Sequence, residues 1–306
     1  MNSIERHKGS LLGLAVGDAL GVALEFRQRD RFEKVIDIIG GGKFQLKPGF
    51  YTDDTCLALC LAESLIETGS FDPIDQLQRY RRWMMEGYMS PTGTCVGIGR
   101  STLASIREFA KTGKPPTKIE LKNAGNGSLM RLAPVVLRYY RPGDSTEAVK
   151  FAAESSLTTH TSPIAVDACR YFAHCLHNAI EGYSKEKLLT HDWAYVQLHD
   201  EVERIAKGSF KKKNRAEISS SGYVVHTLEA ALWAFFNTNT FEDGMILAVN
   251  LADDADTVGA VYGQLAGAYY GKSSIPERWQ TKLANSDVIE EMAGKLHQLS
   301  GHNRLP

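Results

Sequence analysis

An all-α fold is what this sequence predicts, on three observations. Apolar residues recur at helical spacing in one segment after another. Those segments open on Asp, Thr, Ser-Pro or Asp-Pro and close on glycine. Strand-like patterns are almost missing, Val35 to Ile39 being the one weak candidate. Helix spacing is irregular, with no period that would mark a repeat array, so residues 1–306 are expected to form a single compact, multi-helix domain.

The first helix is expected over residues 7–24. Gly9, Gly13, Gly17 and Gly21 recur every four residues within it. A glycine inside a helix costs about 1 kcal/mol relative to alanine, so four on one face need a reason. Spacing of i, i+4 puts them in one stripe, and a stripe without side chains lets another backbone come close. Gly259, Gly263, Gly267 and Gly271 repeat the device near the other end. Both helices should therefore be buried and closely packed, with each other as one candidate pairing.

Residues 31–51 are irregular, punctuated by Gly40-Gly41-Gly42 and Pro48-Gly49. A helix from about residue 53 to 68 stops at Gly69. Asp72-Pro73, a cap followed by proline at the first helical position, opens another that ends near Gly87. Ser90 to Gly99 is a turn-rich loop feeding a helix that Gly113 closes, and Pro115-Pro116 opens a linker. Ala124-Gly125-Asn126-Gly127-Ser128 is a glycine-rich loop before Leu129, Met130 and Leu132. Asp144 with Glu147 reads as a capping box for a helix to about residue 157. His160 lies in a Thr-Thr-His-Thr-Ser-Pro turn, and Ser162-Pro163 caps the helix that ends at Gly182. Helical patterns return at 193–207, 225–237, 242–252, 256–270 and 287–299.

At 43% hydrophobic and 23% charged residues the composition is that of an ordinary globular protein. A net charge of −1 and a pI near 6.8 give no global pull toward nucleic acid or an anionic membrane. The one basic cluster, Lys211-Lys212-Lys213-Asn214-Arg215, reads as a solvated loop. Five cysteines without a C-x-x-C pair or a disulfide framework favour a reducing compartment. Leu11 to Val16 resembles a signal-peptide core, but Glu5 precedes it and Asp18 interrupts it. No stretch approaches the ~18 uninterrupted apolar residues of a membrane span. A cytoplasmic monomer is the expectation.

Two acidic helix openings stand out. Thr52-Asp53-Asp54-Thr55 precedes one helix and Asp253-Asp254-Ala255-Asp256-Thr257 another. Helix capping accounts for one such cluster, since Asp and Thr are preferred caps and acids suit a helix N-terminus. It does not account for two, because extra neighbouring carboxylates repel each other. A shared cation would remove the conflict. With no His or Cys adjoining either motif, the donors are hard oxygens. They disfavour zinc and favour Mg²⁺, Mn²⁺ or Ca²⁺. Four or five carboxylates exceed the needs of one ion and suggest a two-metal centre. Asp254 and Asp256 can face one point only where the chain has not yet entered the helix. The loop at Gly125 to Ser128 could offer backbone N–H groups to a phosphate.

In order along the chain, these motifs resemble the ADP-ribosylglycohydrolase family, which includes the bacterial dinitrogenase reductase-activating glycohydrolases. The resemblance rests on Gly13 to Gly21 (GLAVGDALG), Thr52 to Thr55 (TDDT), Gly125 to Arg131 (GNGSLMR), Thr159-His160 and Asp254 to Thr257 (DADT). It implies an all-α enzyme with two Mg²⁺ (or Mn²⁺) ions that bind the ribose beside the scissile bond. By motif match Thr52, Asp53, Asp54, Asp254, Asp256 and Thr257 would be the metal ligands, and Glu25 the glutamate near them. Gly125, Asn126, Gly127, Ser128, Leu129, Met130 and His160 would line the ADP-ribose cleft, with Tyr223 as an adenine neighbour. Cleaving the anomeric bond develops oxocarbenium character, which a nearby carboxylate stabilises and an activated water captures. Glu25, Asp53 and Asp54 are alternative bases. Asp18 is expected to support the site from behind.

One departure bears on activity. Bacterial relatives commonly carry aspartate before Ile-Gly in the loop matching Thr92 to Gly99, and this chain has Gly97 there. A lost general acid is worth ~10²–10⁴-fold. The expected function is hydrolysis of ADP-ribose from an arginine- or serine-type linkage on a protein, or from a small conjugate. The alternatives are an ADP-ribose-binding protein with weak or lost turnover, and a metal phosphohydrolase acting on nucleotides.

Overall fold

Two helices form the axis of the molecule. In the computed structural model, which describes residues 1–118, 124–189 and 197–301, α1 (Ser3–Gly21) lies antiparallel against α12 (Ala255–Tyr270). A Cβ on Gly9, Gly13 or Gly17 would stand 2.2, 2.3 and 2.0 Å from the carbonyl oxygens of Gly267, Gly263 and Gly259. A Cβ on Gly21 would be 2.4 Å from the Cα of Asp256. No side chain fits, so the two glycine stripes are the partners of one another. Every residue of α1 from Gly9 onward is buried. Gly271 closes this seam: its carbonyl carbon would be 2.8 Å from a Cβ on Gly9, while it stops α12 at a φ of +82° and its own Cβ position faces the Met1 side chain.

The other helices wrap this pair. They are α2 (Asp53–Thr68), α3 (Pro73–Glu86), α4 (Arg100–Thr112), α5 (Ala133–Tyr139), α6 (Thr146–Leu157), α7 (Pro163–Glu181) and α8 (Lys185–Leu188). After them come α9 (Asp200–Ala206), α10 (Val224–Phe236), α11 (Phe241–Val249), α13 (Glu277–Lys282) and α14 (Ser286–Leu299). Among the described residues there is no sheet, only isolated bridges. The all-α expectation is met, and the buried apolar side chains form one continuous cluster. Asp72 caps α3 as expected, accepting from the N–H groups of Ile74 (2.8 Å) and Asp75 (3.1 Å). Gly69, Gly87, Gly113 and Gly182 end their helices at positive φ.

Local signals misled in three places. The Asp144–Glu147 capping box does not form: Asp144 caps the N–H of Thr146, while Glu147 pairs with Arg141. Val35–Ile39 is not a strand. The Asn250 side chain takes the place of a neighbouring strand, accepting from Val35 N (2.9 Å) and donating to Val35 O (2.8 Å). The basic run is not simply solvated, since Lys213 pairs with Glu229 and Arg215 with Asp30. Of the helix expected at 193–207, residues 193–196 lie outside the described residues, and the described part is α9. Among the described residues no helix is long and apolar enough to cross a membrane.

Candidate metal-binding cleft

The seam delivers one acidic motif to the other. Because α1 and α12 run antiparallel, the end of α1 meets the start of α12. The chain leaving α1 passes through a 3-10 turn at Val22–Leu24 and then pairs with the residues entering α12. Phe26 N donates to Asp253 O (2.6 Å), and Asp253 N donates to Arg27 O (3.1 Å). This splice holds Phe26, Ala252 and Asp253 at φ near +60°, an unusual concentration for residues with side chains. It sets Glu25 beside the acids of α12. Asp254 is the residue just before α12 and Asp256 lies in its first turn, so both reach the same point. Asp253 itself points outward and is exposed.

The first turn of α2 is held from α1. Thr52 does not cap its own helix. Instead Asp18 accepts from the backbone N–H of Thr52 (3.0 Å) and Thr55 (3.0 Å), and from the hydroxyls of Thr52 (2.9 Å) and Thr55 (2.6 Å). Asp18 thus supplies the cap, which leaves Asp53 and Asp54 free for other work. Asp18, Asp54 and Asp256 each bring an oxygen within 4.8 Å of the others, all of them buried.

The result is a cleft of about 220 Å³ lined by Glu25, Asp53, Asp54, Asp254, Asp256 and Thr257 on its floor. Gly125, Asn126, Gly127, Met130 and His160 form one wall. Of the expected site residues, Thr52, Ser128, Leu129 and Tyr223 do not line it. Thr52 sits behind Asp53, its hydroxyl turned to Asp18. Ser128 and Leu129 are buried under the loop, with Ser128 accepting from Ser156 (2.8 Å). Tyr223 pairs through its backbone with Gly125, and its ring meets His226 edge-on at 5.1 Å. Four residues at the start of α4 that sequence reasoning did not assign to the site also line the cleft: Gly99, Arg100, Ser101 and Thr102, the last packed beside Gly127. The exposed ring of Phe26 stands at the mouth with the Lys43 ammonium 4.5 Å from its centre. Neither group carries a motif of its own.

The electrostatics of the floor are unfavourable as it stands. Burial, then Asp254 and Asp18, push the Glu25 carboxyl up to about 7. Burial and the neighbouring acids also raise Asp53, Asp54 and Asp256 well above the usual carboxylate range. Burial raises Asp254 as well, opposed by hydrogen bonding with Asn126, Asp256 and Thr257. Asp54 Oδ1 and Glu25 Oε2 are buried without a hydrogen-bond partner. Hard oxygen donors, two of them orphaned and all crowded by like charge, are the donor set that divalent cations satisfy. Gly97 lines the cleft at a φ of +87°, and a Cβ there would be 2.2 Å from Asp53 Oδ1.

Comparison with known proteins agrees across the whole length. The ADP-ribosylglycohydrolase family model matches residues 1–306. An ADP-ribosylarginine hydrolase, Tri1, of Pseudomonas putida (strain GB-1) is 44% identical, covering 96% of this chain and 78% of that protein. The Tri1 hydrolase of Serratia proteamaculans (strain 568) is 40% identical, covering 97% and 80%. The ADP-ribosyl-(dinitrogen reductase) glycohydrolase of Rhodospirillum rubrum is 32% identical, covering 91% and 90%. A solved structure described as an ADP-ribosylglycohydrolase-related protein complex superposes with a TM-score of 0.86 at 43% identity, covering 97% of this chain and 99% of that one.

Proposed function

Because this chain belongs to the ADP-ribosylglycohydrolase family, we propose that it hydrolyses the bond between ADP-ribose and a modified side chain, arginine first, as a single domain over residues 1–306. The observation that supports this most is the meeting of five carboxylates and the Gly125–Asn126–Gly127 loop in one cleft. Asp53, Asp54, Asp254, Asp256 and Thr257 would hold two divalent cations, Mg²⁺ or Mn²⁺. Thr52 would join them, since its hydrogen goes to Asp18 and its oxygen lone pairs are left over. Bound cations supply Lewis-acid chemistry and orient a cis-diol such as that of ribose.

The remaining roles fall to the chain. Glu25, buried at the cleft floor with one oxygen unpartnered, is placed to take a proton from the attacking water. The neighbouring carboxylates stabilise positive charge developing at the anomeric carbon. Asn126, donating to Asp254 Oδ2 (2.6 Å) and Thr227 Oγ (2.8 Å), ties the glycine-rich loop to the floor. That loop and the start of α4 would cradle the diphosphate between them. Tyr223, next to Gly125, stands as the adenine-side residue.

Gly97 supports a second reading. With no carboxylate at this point of the wall, the chain would bind ADP-ribose and turn it over slowly. An aspartate could not simply be put back, because the position needs a positive φ and a Cβ would collide with Asp53. Incubation with arginine- and serine-linked ADP-ribosyl peptides, with Mn²⁺ or chelator, separates the readings. Release of ADP-ribose that stops on chelation is expected. Tight binding of ADP-ribose without release would favour the binding protein, and release of inorganic phosphate from nucleotides would favour a phosphohydrolase.

A further inference from the structure

His160 faces the cleft, and the groups behind it fix its protonation by hydrogen-bond accounting. The ring lies against the glycine-rich loop: a Cβ on Gly127 would stand 2.7 Å from its Cε1 and one on Gly125 3.4 Å from its Nε2. On the far side its Nδ1 is 2.8 Å from the hydroxyl oxygen of Thr159. That same oxygen accepts from Arg131 Nη2 at 2.7 Å. A guanidinium has only hydrogens to give. If Nδ1 also carried hydrogen, two donors would point at Thr159 and its own hydroxyl hydrogen would have nowhere to go. Thr159 and Arg131 are both buried, so no solvent absorbs the mismatch. The consistent arrangement runs one way: Arg131 donates to Thr159, Thr159 donates to His160 Nδ1, and the ring proton sits on Nε2.

We propose that Arg131 and Thr159 are positioning residues that lock His160 as the neutral Nε2–H tautomer, so that it serves the cleft as a fixed hydrogen-bond donor to an acceptor oxygen of the ADP-ribosyl group and not as an acid or base. The inference deepens the reading of the cleft given above and rests on it for the identity of the ligand. Two further observations agree with it. Burial and the Arg131 charge push the His160 imidazole down to about 3, which keeps it neutral. Arg131 Nη1 also donates to Gly127 O (2.9 Å), so a single buried guanidinium sets both the loop and the ring that packs on it.

The test is imidazole ¹⁵N NMR of the full chain labelled at histidine, with the His160 signals assigned from their loss in His160→Gln. The expected result is one Nε2–H form, unchanged from pH 5 to pH 8. Thr159→Ser should keep that form, whereas Thr159→Val should lose it. Calorimetry with ADP-ribose, in the presence of Mn²⁺, should show Thr159→Val weakened roughly tenfold, the worth of about one hydrogen bond, and Thr159→Ser close to the parent. A ring protonated at Nδ1, or titrating within that pH range, would overturn the proposal. So would a folded Thr159→Val chain that binds ADP-ribose with parental affinity. If the parent itself fails to bind ADP-ribose, it is the functional reading that falls, while the tautomer is still decided by the NMR spectrum.

Discussion

The glycine seam and the acidic floor at its end obey opposite rules. Along the seam, four glycines of α1 meet the backbone of α12 with no side chain between them. A few ångströms further on, five carboxylates line one cleft, and two of their buried oxygens lack a partner. The first region is as close-packed as backbone allows, while the second is left short of counter-charge. The difference teaches how such a floor can persist in a folded chain. Mutual repulsion would push the acids apart on a yielding scaffold, but backbone packed on backbone has no side chain that can shift to let them go.

The sharpest way to break the comparison is to spoil the seam. Gly17→Ala places a methyl 2.0 Å from Gly259 O and 2.7 Å from Ala260 N, and neither can move without moving a helix. Overpacking of this kind costs about 3 kcal/mol, and more where backbone must shift. Urea unfolding should show at least that loss, or no folded chain at all. Spoiling the floor should do the reverse. Asp54→Asn removes one repelling charge and a cation ligand together. Mn²⁺ affinity by calorimetry should fall more than about tenfold, whereas thermal unfolding in chelator should show stability unchanged or raised. If Asp54→Asn keeps full metal affinity, the ligand assignment is wrong.

Protons offer a subtler probe of the same floor. A carboxyl whose pKa is raised by folding makes the native state bind more protons than the unfolded chain. Stability is then greatest below the unfolded value and falls as pH rises toward the folded one. For Glu25 that window runs from 4.5 to about 7, and the aspartates, also raised by burial and their neighbours, add to the fall in the same direction. The melting temperature of the chelated protein should therefore decline from pH 5 to pH 8. Glu25→Gln should flatten part of the decline, and a profile that rises over this range would contradict the account. The smallest effect serves as a control on what glycine is for. Gly294, inside α14, has nothing within 4 Å of an added Cβ. Gly294→Ala should stabilise the fold by up to about 1 kcal/mol, in contrast to Gly17→Ala in the buried α1.

How legible each part was in the sequence follows from how local its cause is. The bounds of α2 at Asp53 and Thr68 could be read directly, because a terminal glycine and an apolar period both act within a few residues. The seam could be suspected from spacing alone, since four glycines on one face make sense only against another backbone. Both acidic motifs were visible for the same reason: each is contiguous. Asp18 as the cap of α2 was not, because its four donors lie over thirty residues away and no pattern at Asp18 announces them. Gly99 to Thr102 and Phe26 were missed likewise, as their part in the cleft comes from where the fold carries them. α5, only seven residues long with Pro134 in its first turn, was too short for periodicity to show. The Asp144–Glu147 box failed for the opposite reason. The local signal was present, but Arg141 offered Glu147 a better partner.

Gly9 faces Gly267, and Gly17 faces Gly259, across most of the length of the polypeptide. Contacts of such long range form late and slowly. Until α12 is in place, the glycine stripe of α1 and the apolar run Leu11 to Val16 lack their main cover, a sticky surface open to wrong associations. Assembly of the cleft is then close to all-or-none, for the event that buries α1 is also the one that brings Glu25 to Asp256. A fragment ending before residue 255 should lack the cleft entirely, and any helper that shields newly made chains has its target in this stripe of bare backbone.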